Sequence, residues 1–448
     1  MFDLTRATER CAAMIDLARR SGADAADAIA IGDASEAVHV RLGKLEDVER
    51  SESETVGLRV FVGQRSASVQ ATDSSDKALA ELAERAVAMA RAAPEDPYAG
   101  LAPQEMLAHG PFPALDLHDG QELAPARLRE LAAQAEDAAR AISGVTNSEG
   151  ASASFGRSLF ALATSHGFSG VYAGTAHALS ASVVAGEGAG MQRDYAWRQA
   201  HHASDLLTPA EIGRLAGERA VARLNPGRLP SGTMPVVFDP RISGSLIGHL
   251  LGAMSGPAIA RRASFLLDRL DEQVFDPAVH IVENPHRLRG LRSRPFDGEG
   301  LPTTPRALVE CGRVTGWLAE SASARQLGIA PTGHASRGGG GAPGVSATNV
   351  DLLPGMVSRG ELIGDIDQGF LVTELIGHGV NGVTGDYSMG ASGFRIERGE
   401  IAGPVAELTV AGNLIDMFRA MRVANDLEYY RAINAPTVRI DGMTVAGE

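Results

Sequence analysis

The first residue with a side chain and setting suited to chemistry is His249, which lies in the stretch from Val236 to Phe275. This stretch begins with the apolar run Val236-Val237-Phe238, typical of a buried strand, and Asp239-Pro240 then breaks the pattern. Apolar residues follow at the spacing of a helix face, which predicts a helix that ends or kinks at Gly256-Pro257. A histidine on a helix can bind a metal ion, but no second ligand follows here at helical spacing. A hydrogen-bonded histidine in the core or at an interface is the preferred interpretation.

A second candidate is the segment HIVENPH, in which His280 and His286 flank Glu283. Two imidazoles and a carboxylate form a donor set that zinc accepts. Pro285 prevents a continuous helix through this segment, so the three side chains would not share one face. The pattern predicts a strand followed by a turn, and it disfavours a metal site.

The adjacent pair His201-His202, with Asp194 and Asp205 nearby, is a third candidate. Neighbouring side chains on a strand point to opposite faces, so both imidazoles cannot easily reach one ion. A surface turn is the preferred interpretation. No cysteine, serine or threonine lies in a recognisable nucleophile motif beside a base. We therefore predict neither catalytic nor metal-binding residues in this chain.

A run of four glycines, Gly338 to Gly341, follows His334 and Arg337. It matches neither a P-loop nor a dinucleotide-binding fingerprint, because no strand-to-helix context surrounds it. A mobile loop is the default interpretation. A functional alternative is a backbone that can approach an extended peptide closely.

The segment GHGVNGVTGDYS (377–388) is the best remaining functional candidate. Its Gly, Asn and Asp content predicts tight turns. It concentrates the polar residues His378, Asn381, Asp386 and Tyr387, which no apolar periodicity explains. Two interpretations stay open, because Asn381 and Asp386 could simply satisfy turn backbone, whereas loops on a rigid scaffold often carry function. With His249, these four residues are our candidates for contact with a peptide or a partner.

Composition excludes several classes of function. The formal net charge is −14 and the sequence pI is about 5.4, which disfavours direct binding to nucleic acid. The basic residues cluster locally only at Arg261-Arg262 and in the segment HRLRGLRSR (286–294). Two distant cysteines do not make a disulfide framework and suit a reducing cytoplasm. The N-terminus lacks a signal-peptide pattern, and no stretch of ~18 apolar residues predicts a membrane span.

The length of 448 residues favours two or three domains. Residues 1–95 predict a helix, a set of antiparallel strands and a second helix. Five prolines between Pro94 and Pro113 mark residues 96–124 as a linker or a strap packed along the surface. Residues 125–225 repeat the order of helix, strands and helix. The likeness between the two segments is architectural, without a sequence repeat.

The segment NPGRLPSG (225–232) is the clearest boundary, and residues 232–448 form the predicted C-terminal domain. This domain combines the helix with His249, a section rich in Pro and Arg, and short strands rich in glycine. Strands mixed with peripheral helices, without regular βαβ alternation, indicate an α+β fold. We thus predict N-terminal domains of helix–antiparallel sheet–helix form, followed by a larger, Gly-rich mixed domain.

Three long segments carry a resemblance to a known family. They read GHLLGAMSGPAIARRASFLLD (248–268), TELIGHGVNGVTGDYSMGASGF (373–394) and TVAGNLIDMFRAMRVANDLE (409–428). A weaker match reads GLRVFVGQRSASVQATD (57–73). In this order the segments resemble the TldD/PmbA family, whose members are described as peptidases and as modulators of DNA gyrase. The match is to the PmbA (TldE) branch.

The resemblance also shows which residues are missing. The TldD branch carries a HExxxH signature on the equivalent helix, where two histidines hold a metal and the glutamate serves as base. In this chain His249 is followed by Leu250, and Met254 stands five residues later. No His-Glu dipeptide occurs anywhere in the sequence. The resemblance therefore implies a helix that keeps its packing pattern without its ligands.

What the resemblance implies is a non-catalytic subunit of a two-component cytoplasmic metallopeptidase. A TldD-like partner would supply the metal, expected to be zinc, and the chemistry. This chain would have no metal of its own and would help to hold an unfolded or precursor peptide. It could form a homodimer when alone.

Two alternatives remain open at this stage. The first is a stand-alone metallopeptidase or other hydrolase whose site is assembled from distant residues. The second is a regulatory binding protein of the gyrase-modulator type, for which the acidic charge permits a protein partner rather than DNA.

Overall fold

A computed structural model of the chain describes residues 3–447. The N-terminal half contains four helices and six strands. Their bounds are α1 Leu4–Arg20, β1 Ala25–Arg41, β2 Lys44–Val62, β3 Arg65–Ala71, α2 Asp76–Ala92, α3 Pro125–Arg140, β4 Val145–Thr164, β5 Ser169–Ala185, β6 Gln192–Ala200 and α4 Pro209–Ala222.

The six strands form one antiparallel sheet in the order β3-β2-β1-β4-β5-β6. Side chains of a strand alternate between its two faces. Accordingly Ala28 and Val38 of β1 face the helices, whereas Ile29 faces the other way and joins an aromatic cluster around Phe296. All four helices therefore cover one face of the sheet. The opposite face carries the contact with the C-terminal half.

The Pro-rich segment 96–124 is packed along the protein and carries one 3₁₀ turn, Gln104–Met106. Leu107, Leu115 and Leu117 of this strap are buried. The Arg325 guanidinium of the C-terminal half donates hydrogen bonds to strap carbonyls, among them that of Tyr98 at 2.8 Å. The strap therefore contacts both halves of the chain.

The C-terminal half has thirteen strands and five helices in the described residues. Their bounds are β7 Gly232–Phe238, α5 Pro240–Ala253, α6 Gly256–Ala260, β8 Ile281–Glu283, β9 Arg306–Glu310, β10 Arg313–Val314, α7 Ser321–Leu327, β11 Ala335–Ser336, β12 Gly344–Val345, β13 Val350–Leu352, α8 Arg359–Ile363, β14 Gln368–Ile376, β15 Asp386–Glu397, β16 Glu400–Asn413, α9 Leu414–Arg419, β17 Met421–Val423, β18 Ile433–Asn434 and β19 Val438–Ala446.

The main sheet of this half runs in the order β16-β15-β14-β7-β19-β17. Strand β19 also pairs with β16, so that β16, β15, β14, β7 and β19 close into a ring. Only the β14–β7 pair in this sheet is parallel. A second sheet, β10-β9-β8-β13-β18, packs into the same apolar core. Helix α5 crosses from the first parallel strand, β7, and contacts β14 and β18.

A buried network of charges joins the two halves. Asp27 of β1 accepts a hydrogen bond from Nε of Arg59 at 2.8 Å and another from Arg337 of the C-terminal half. Arg59 also contacts Glu299 at 3.2 Å. Although burial opposes it, Arg337 and Arg59 hold the pKa of Asp27 below its ordinary value. This pairing keeps all four buried charges compensated.

The predicted α+β architecture is confirmed, with helices and an antiparallel sheet in the N-terminal region and a larger β-rich part after it. The segments 1–95 and 125–225 share a single sheet, because β1 pairs with β4 across the strap. The domain boundaries themselves stay a prediction. Among residues 3–447, no helix is both long enough and apolar enough to cross a lipid bilayer.

Candidate functional site

Helix α5 forms where the sequence pattern predicted it. The Asp239 side chain caps its first turn by accepting a hydrogen bond from the Arg241 backbone at 3.0 Å, and Pro240 occupies the first helical position. The residues Leu246, Ile247 and others of the same face are buried in the core. This packing fixes which residues of α5 face outward.

The outward face of α5 and the segment 377–385 form the walls of a cleft of about 460 Å³. His249 and His378 both line this α5 cleft, together with Phe265. Gly248 and Gly252 lie one helical turn apart on the wall, and a Cβ at either position would meet no atom within 4 Å. The cleft is therefore open because its helix wall is made of glycines.

His249 is half-buried at the edge of this cleft. Within residues 3–447 its ring makes no hydrogen bond, and the hydrogen-bonded histidine expected in the core or at an interface stays a prediction. The ring instead meets the edge of Tyr387, with centroids 6.1 Å apart. Partial burial lowers the pKa of His249, because desolvation disfavours the charged imidazolium. The imidazole is consequently neutral at pH 7.

Tyr387 is the least exposed of the candidate residues. It belongs to β15 rather than to a turn, and only 2% of it is exposed. Its hydroxyl has no hydrogen-bond partner in the described part of the chain. Burial raises the pKa of this phenol, so the hydroxyl stays protonated. A buried donor without a partner is unusual, and this one lies beside His249 but outside the lining of the cleft.

The turn prediction for the segment is confirmed up to Gly385, which has a positive φ of 81°. The Asn381 side chain accepts a hydrogen bond from the Val383 backbone at 2.9 Å. Asp386 begins β15 and accepts a hydrogen bond from the Thr384 hydroxyl at 2.6 Å. Both polar side chains thus satisfy local turn structure, while His378 remains exposed. Their role in binding stays a prediction.

The residues of the α5 cleft do not fit a catalytic zinc site. Such a site needs three protein ligands and an open position, and the cleft offers two imidazoles without a carboxylate. When the HExxxH signature is aligned on His249, its glutamate falls at Leu250 and its second histidine at Met254. Both residues are fully buried. A HExxxH signature that began at position 248 would place its two histidines and its glutamate at positions that line the cleft. This chain has Gly248, His249 and Ala253 at those positions. Within residues 3–447, no three His, Cys, Asp or Glu side chains are grouped to hold a metal ion.

The segment HIVENPH forms β8 and a turn, as predicted, and its polar side chains point to different partners. Glu283 is buried and accepts a hydrogen bond from His334 at 2.7 Å. His286 meets the Thr303 hydroxyl at 3.1 Å. His280 accepts, through Nδ1, a long hydrogen bond of 3.5 Å from the Cys311 backbone. These residues do not converge.

The pair His201-His202 lies in the turn after β6, as predicted. The His201 ring contacts the Gly290 carbonyl at 3.2 Å, and the His202 ring contacts Asp116 of the strap at 3.3 Å. Asp194 is buried apart from both and pairs with Arg241 at 2.9 Å. His201 and His202 therefore contact different segments of the chain and do not meet at one site.

The four glycines after Arg337 pack against the hairpin of β2 and β3. A Cβ on Gly57 would lie 2.2 Å from the Gly339 carbonyl oxygen, and a Cβ on Gly340 would lie 2.7 Å from the Gln70 side chain. The glycine run was considered as a backbone that could approach a peptide closely. In the structure it approaches the β2–β3 hairpin of the same chain instead.

Sequence reasoning missed most of the cleft lining. Phe265 and the glycine wall were not among the candidates, although Gly248 and Gly252 stand four residues apart on an apolar helix. That spacing is a usable signal, because two glycines on one helix face leave room for a ligand or another backbone.

Comparison with known proteins places this fold in a family of peptidases. Family profiles match three parts of the chain, described as domain 1 (residues 26–90), the central domain (118–224) and the C-terminal domain (231–447) of the PmbA/TldA metallopeptidases. The chain therefore belongs to the PmbA/TldD metallopeptidase family.

Within this family the chain lies in the PmbA (TldE) branch. It is 39% identical to metalloprotease PmbA of Escherichia coli O157:H7, over 92% of this chain and 90% of that protein. It is 36% identical to a metalloprotease PmbA homolog of Haemophilus influenzae, over 97% of this chain and 94% of the other.

Solved structures share the whole fold. A crystal structure from Bacteroides thetaiotaomicron, named as that of a candidate modulator of DNA gyrase, superposes with a TM-score of 0.90 at 26% identity, covering 98% of both chains. TldE from Thermococcus kodakarensis superposes with a TM-score of 0.86 at 21% identity, covering 98% of this chain and 100% of the other. The second likeness concerns the fold alone.

Proposed function

We propose that this chain is the non-catalytic subunit of a two-component metallopeptidase that acts on unfolded or precursor peptides. One observation carries the proposal. Helix α5 keeps its buried face and its cleft, but the four residues it contributes to the cleft lining are Gly248, His249, Gly252 and Ala253, which cannot supply a metal site. A TldD-like partner would bind the metal, expected to be zinc, and would perform the hydrolysis.

The α5 cleft suits the holding of a peptide. Its walls combine apolar side chains such as Phe265 and Met389 with the neutral imidazole of His249. Pockets of this kind gain affinity from apolar contact and orientation from a few polar groups. Glycines at 248 and 252 would let a peptide backbone come close to the helix.

A stand-alone hydrolase is less well supported. The arrangement most like a nucleophile relay is Thr332, His334 and Glu283, with contacts of 2.8 Å and 2.7 Å. The Thr332 hydroxyl is, however, engaged by both the N–H and the carbonyl of Ala319, at 2.7 Å and 3.1 Å. His334 and Glu283 are also buried. These contacts describe a structural cluster rather than an accessible nucleophile.

A regulatory role is the second candidate, because the Bacteroides thetaiotaomicron relative is named for gyrase modulation.

We also infer a reducing, cytoplasmic location. Cys11 is buried and Cys311 is exposed, so the two thiols cannot meet in this fold.

The decisive experiment measures peptidase activity and metal content together. This chain, a TldD-like protein, and their mixture are each incubated with an unfolded peptide. We expect hydrolysis only in the mixture, zinc only in the TldD-like protein, and co-elution of the two chains. Chelator-sensitive activity of this chain alone would overturn the proposal. Capture of gyrase in place of a TldD-like protein would favour the regulatory role.

A further inference from the structure

A second, larger groove lies between β6 and the C-terminal half, away from the α5 cleft. Its wide part has a volume of about 830 Å³, and its narrow part a volume of about 470 Å³. The two parts share Gln199, Leu291 and Arg431 as lining residues. We call this continuous surface the arginine groove.

The wide part is strongly basic for an acidic protein. It is lined by five arginines and two carboxylates, Asp194 and Glu374. The arginines are Arg193, Arg223, Arg241, Arg292 and Arg431. Over the whole chain, acidic residues outnumber lysine and arginine by 55 to 41. The groove thus concentrates positive charge that the composition conceals, and a cleft of one charge sign focuses its field on a ligand.

Acidic side chains pair with three of the five arginines, since Arg193 lies 3.6 Å from Glu149 and both Arg223 and Arg241 contact Asp194. Asp194 is buried between Arg241, at 2.9 Å, and Arg223, at 3.5 Å. The exposed Arg292 guanidinium makes no hydrogen bond or ion pair within residues 3–447. The Nε of Arg431 is buried without a partner. The exposed guanidinium of Arg292 can therefore donate hydrogen bonds to an anionic ligand, whereas the buried Nε of Arg431 is closed to one.

Aromatic rings hold the arginines in place. The Arg431 guanidinium lies 5.2 Å from the Trp197 ring centroid and 5.1 Å from that of Tyr430. In the narrow part, the Arg198 guanidinium lies 3.9 Å above the Tyr430 ring. Stacking of this kind orders a guanidinium before the ligand arrives, so less entropy is lost on binding.

The edge of the sheet at β6 is closed to strand addition at two positions. The Tyr195 carbonyl accepts a hydrogen bond from Arg219 at 3.1 Å, and the Trp197 carbonyl accepts one from Arg198 at 3.0 Å. Burial lowers the pKa of Arg219, and the nearby Arg241 guanidinium lowers it further. A ligand would therefore be recognised by guanidinium side chains rather than by a backbone ladder.

The mixed lining distinguishes between anionic ligands. Asp205 and Glu428 add two carboxylates in the narrow part. Carboxylates beside the arginines repel a nucleic acid, whose phosphates are closely and regularly spaced. A peptide with separated acidic side chains can pair its carboxylates with arginines and its N–H groups with the acidic residues. We propose that the arginine groove binds acidic, extended peptide segments and makes the peptidase complex prefer them.

In naming a substrate class, this inference rests on the proposed function, whereas peptide binding itself can be measured on this chain alone. The test uses fluorescence anisotropy at low salt with a labelled peptide of alternating Glu and Ser. A Gln-Ser peptide and a single-stranded oligothymidine of the same length serve as competitors of different charge. The groove variant is Arg193→Glu/Arg292→Glu, because both side chains are exposed. The matched control is Arg85→Glu/Arg129→Glu, on exposed faces of α2 and α3.

We expect the groove variant to bind the Glu-Ser peptide about tenfold more weakly, since two attractive contacts become repulsive. The control variant should bind like the wild type, and the Gln-Ser peptide should bind weakly to all three. Equal binding of both peptides, or equal loss in both variants, would overturn the inference. Tighter binding of oligothymidine would replace it with a nucleic-acid site.

The same peptides separate this inference from the proposed function. A mixture with a TldD-like protein that hydrolyses the Glu-Ser and Gln-Ser peptides equally well would refute the inference alone. An inactive mixture, with peptide binding to the groove intact, would refute the proposed function alone.

Discussion

The α5 cleft and the arginine groove are built in opposite ways. The cleft uses one helix and a short loop, and its wall is glycine, a neutral imidazole and apolar side chains. The groove draws its arginines from β6, the residue after α4, α5 and two later loops, and the buried Asp194 pairs with two of them. The cleft leaves a local signal in the sequence, the spacing of Gly248 and Gly252, although our candidates included only His249 and His378 of its lining. A site made of scattered charges needs the fold.

The two sites also differ in how much stability it costs to keep them open. In the cleft, open space comes from missing side chains, so little stability should depend on it. In the groove, several like charges lie side by side, and their repulsion is relieved by Asp194. Loss of a single residue should therefore harm the groove more than the cleft.

The largest expected effect is that of Asp194→Ala in the groove. The change leaves Arg223 and Arg241 without their buried partner, and we expect the free energy of unfolding to fall by about 3 kcal/mol. Urea unfolding followed by circular dichroism measures the loss. The control Asp205→Ala removes an exposed carboxylate and should cost about 0.5 kcal/mol or less. Equal losses in the two variants would mean that Asp194 does not support the groove.

The next effect concerns the cleft. Gly252→Leu places a side chain in open space, so the fold should tolerate it, while a peptide loses contacts worth about 1.5 kcal/mol. We expect about tenfold lower kcat/KM of the mixture with a TldD-like protein.

The control for this variant is Gly232→Leu, where a Cβ also meets no atom within 4 Å but which does not line the α5 cleft. It should leave kcat/KM unchanged. Full activity of the Gly252→Leu mixture would mean that the α5 cleft does not take part in holding the peptide.

A smaller effect is expected from Tyr387→Phe. Its buried hydroxyl has no partner, so its removal should keep or raise the free energy of unfolding, by up to about 1 kcal/mol. The contrasting variant is Thr332→Val, which removes a hydroxyl that Ala319 and His334 engage and should be destabilising. Chemical denaturation measures both. A clear loss of stability in Tyr387→Phe would show that the hydroxyl is satisfied after all, for instance by water.

The smallest effect is the pH response of His249. Because burial lowers its pKa in the folded state, the unfolded chain takes up the proton first as the pH falls below 6.5. This histidine therefore contributes a loss of stability on acidification that is absent above that pH. We expect His249→Gln to flatten the fall in the free energy of unfolding between pH 7.5 and pH 5.5. An NMR titration that puts the pKa of His249 above 6.5 would contradict the sign.

The difference between the two sites extends to the fold. Helix α5 was predicted closely, because its buried residues recur at the spacing of one helix face. The outer part of β2, from Lys44 to Glu54, escaped prediction. It is exposed throughout, and only its pairing with β1 makes it a strand. A fully exposed strand carries no alternation that a sequence reader could detect.

By itself the sequence determined the long helices, most buried strands, the α+β class and the family, together with the lack of a HExxxH signature on α5. The tertiary structure alone decided that β1 pairs with β4 in one sheet and that β19 closes a ring with β16. It also decided that Arg193 and Arg431, far apart in the chain, share a groove. The physical reason is the sequence distance over which each feature is fixed. Burial of one face of a helix or strand gives a periodic pattern in the local sequence, whereas strand partners and clusters of charge depend on contacts between distant residues.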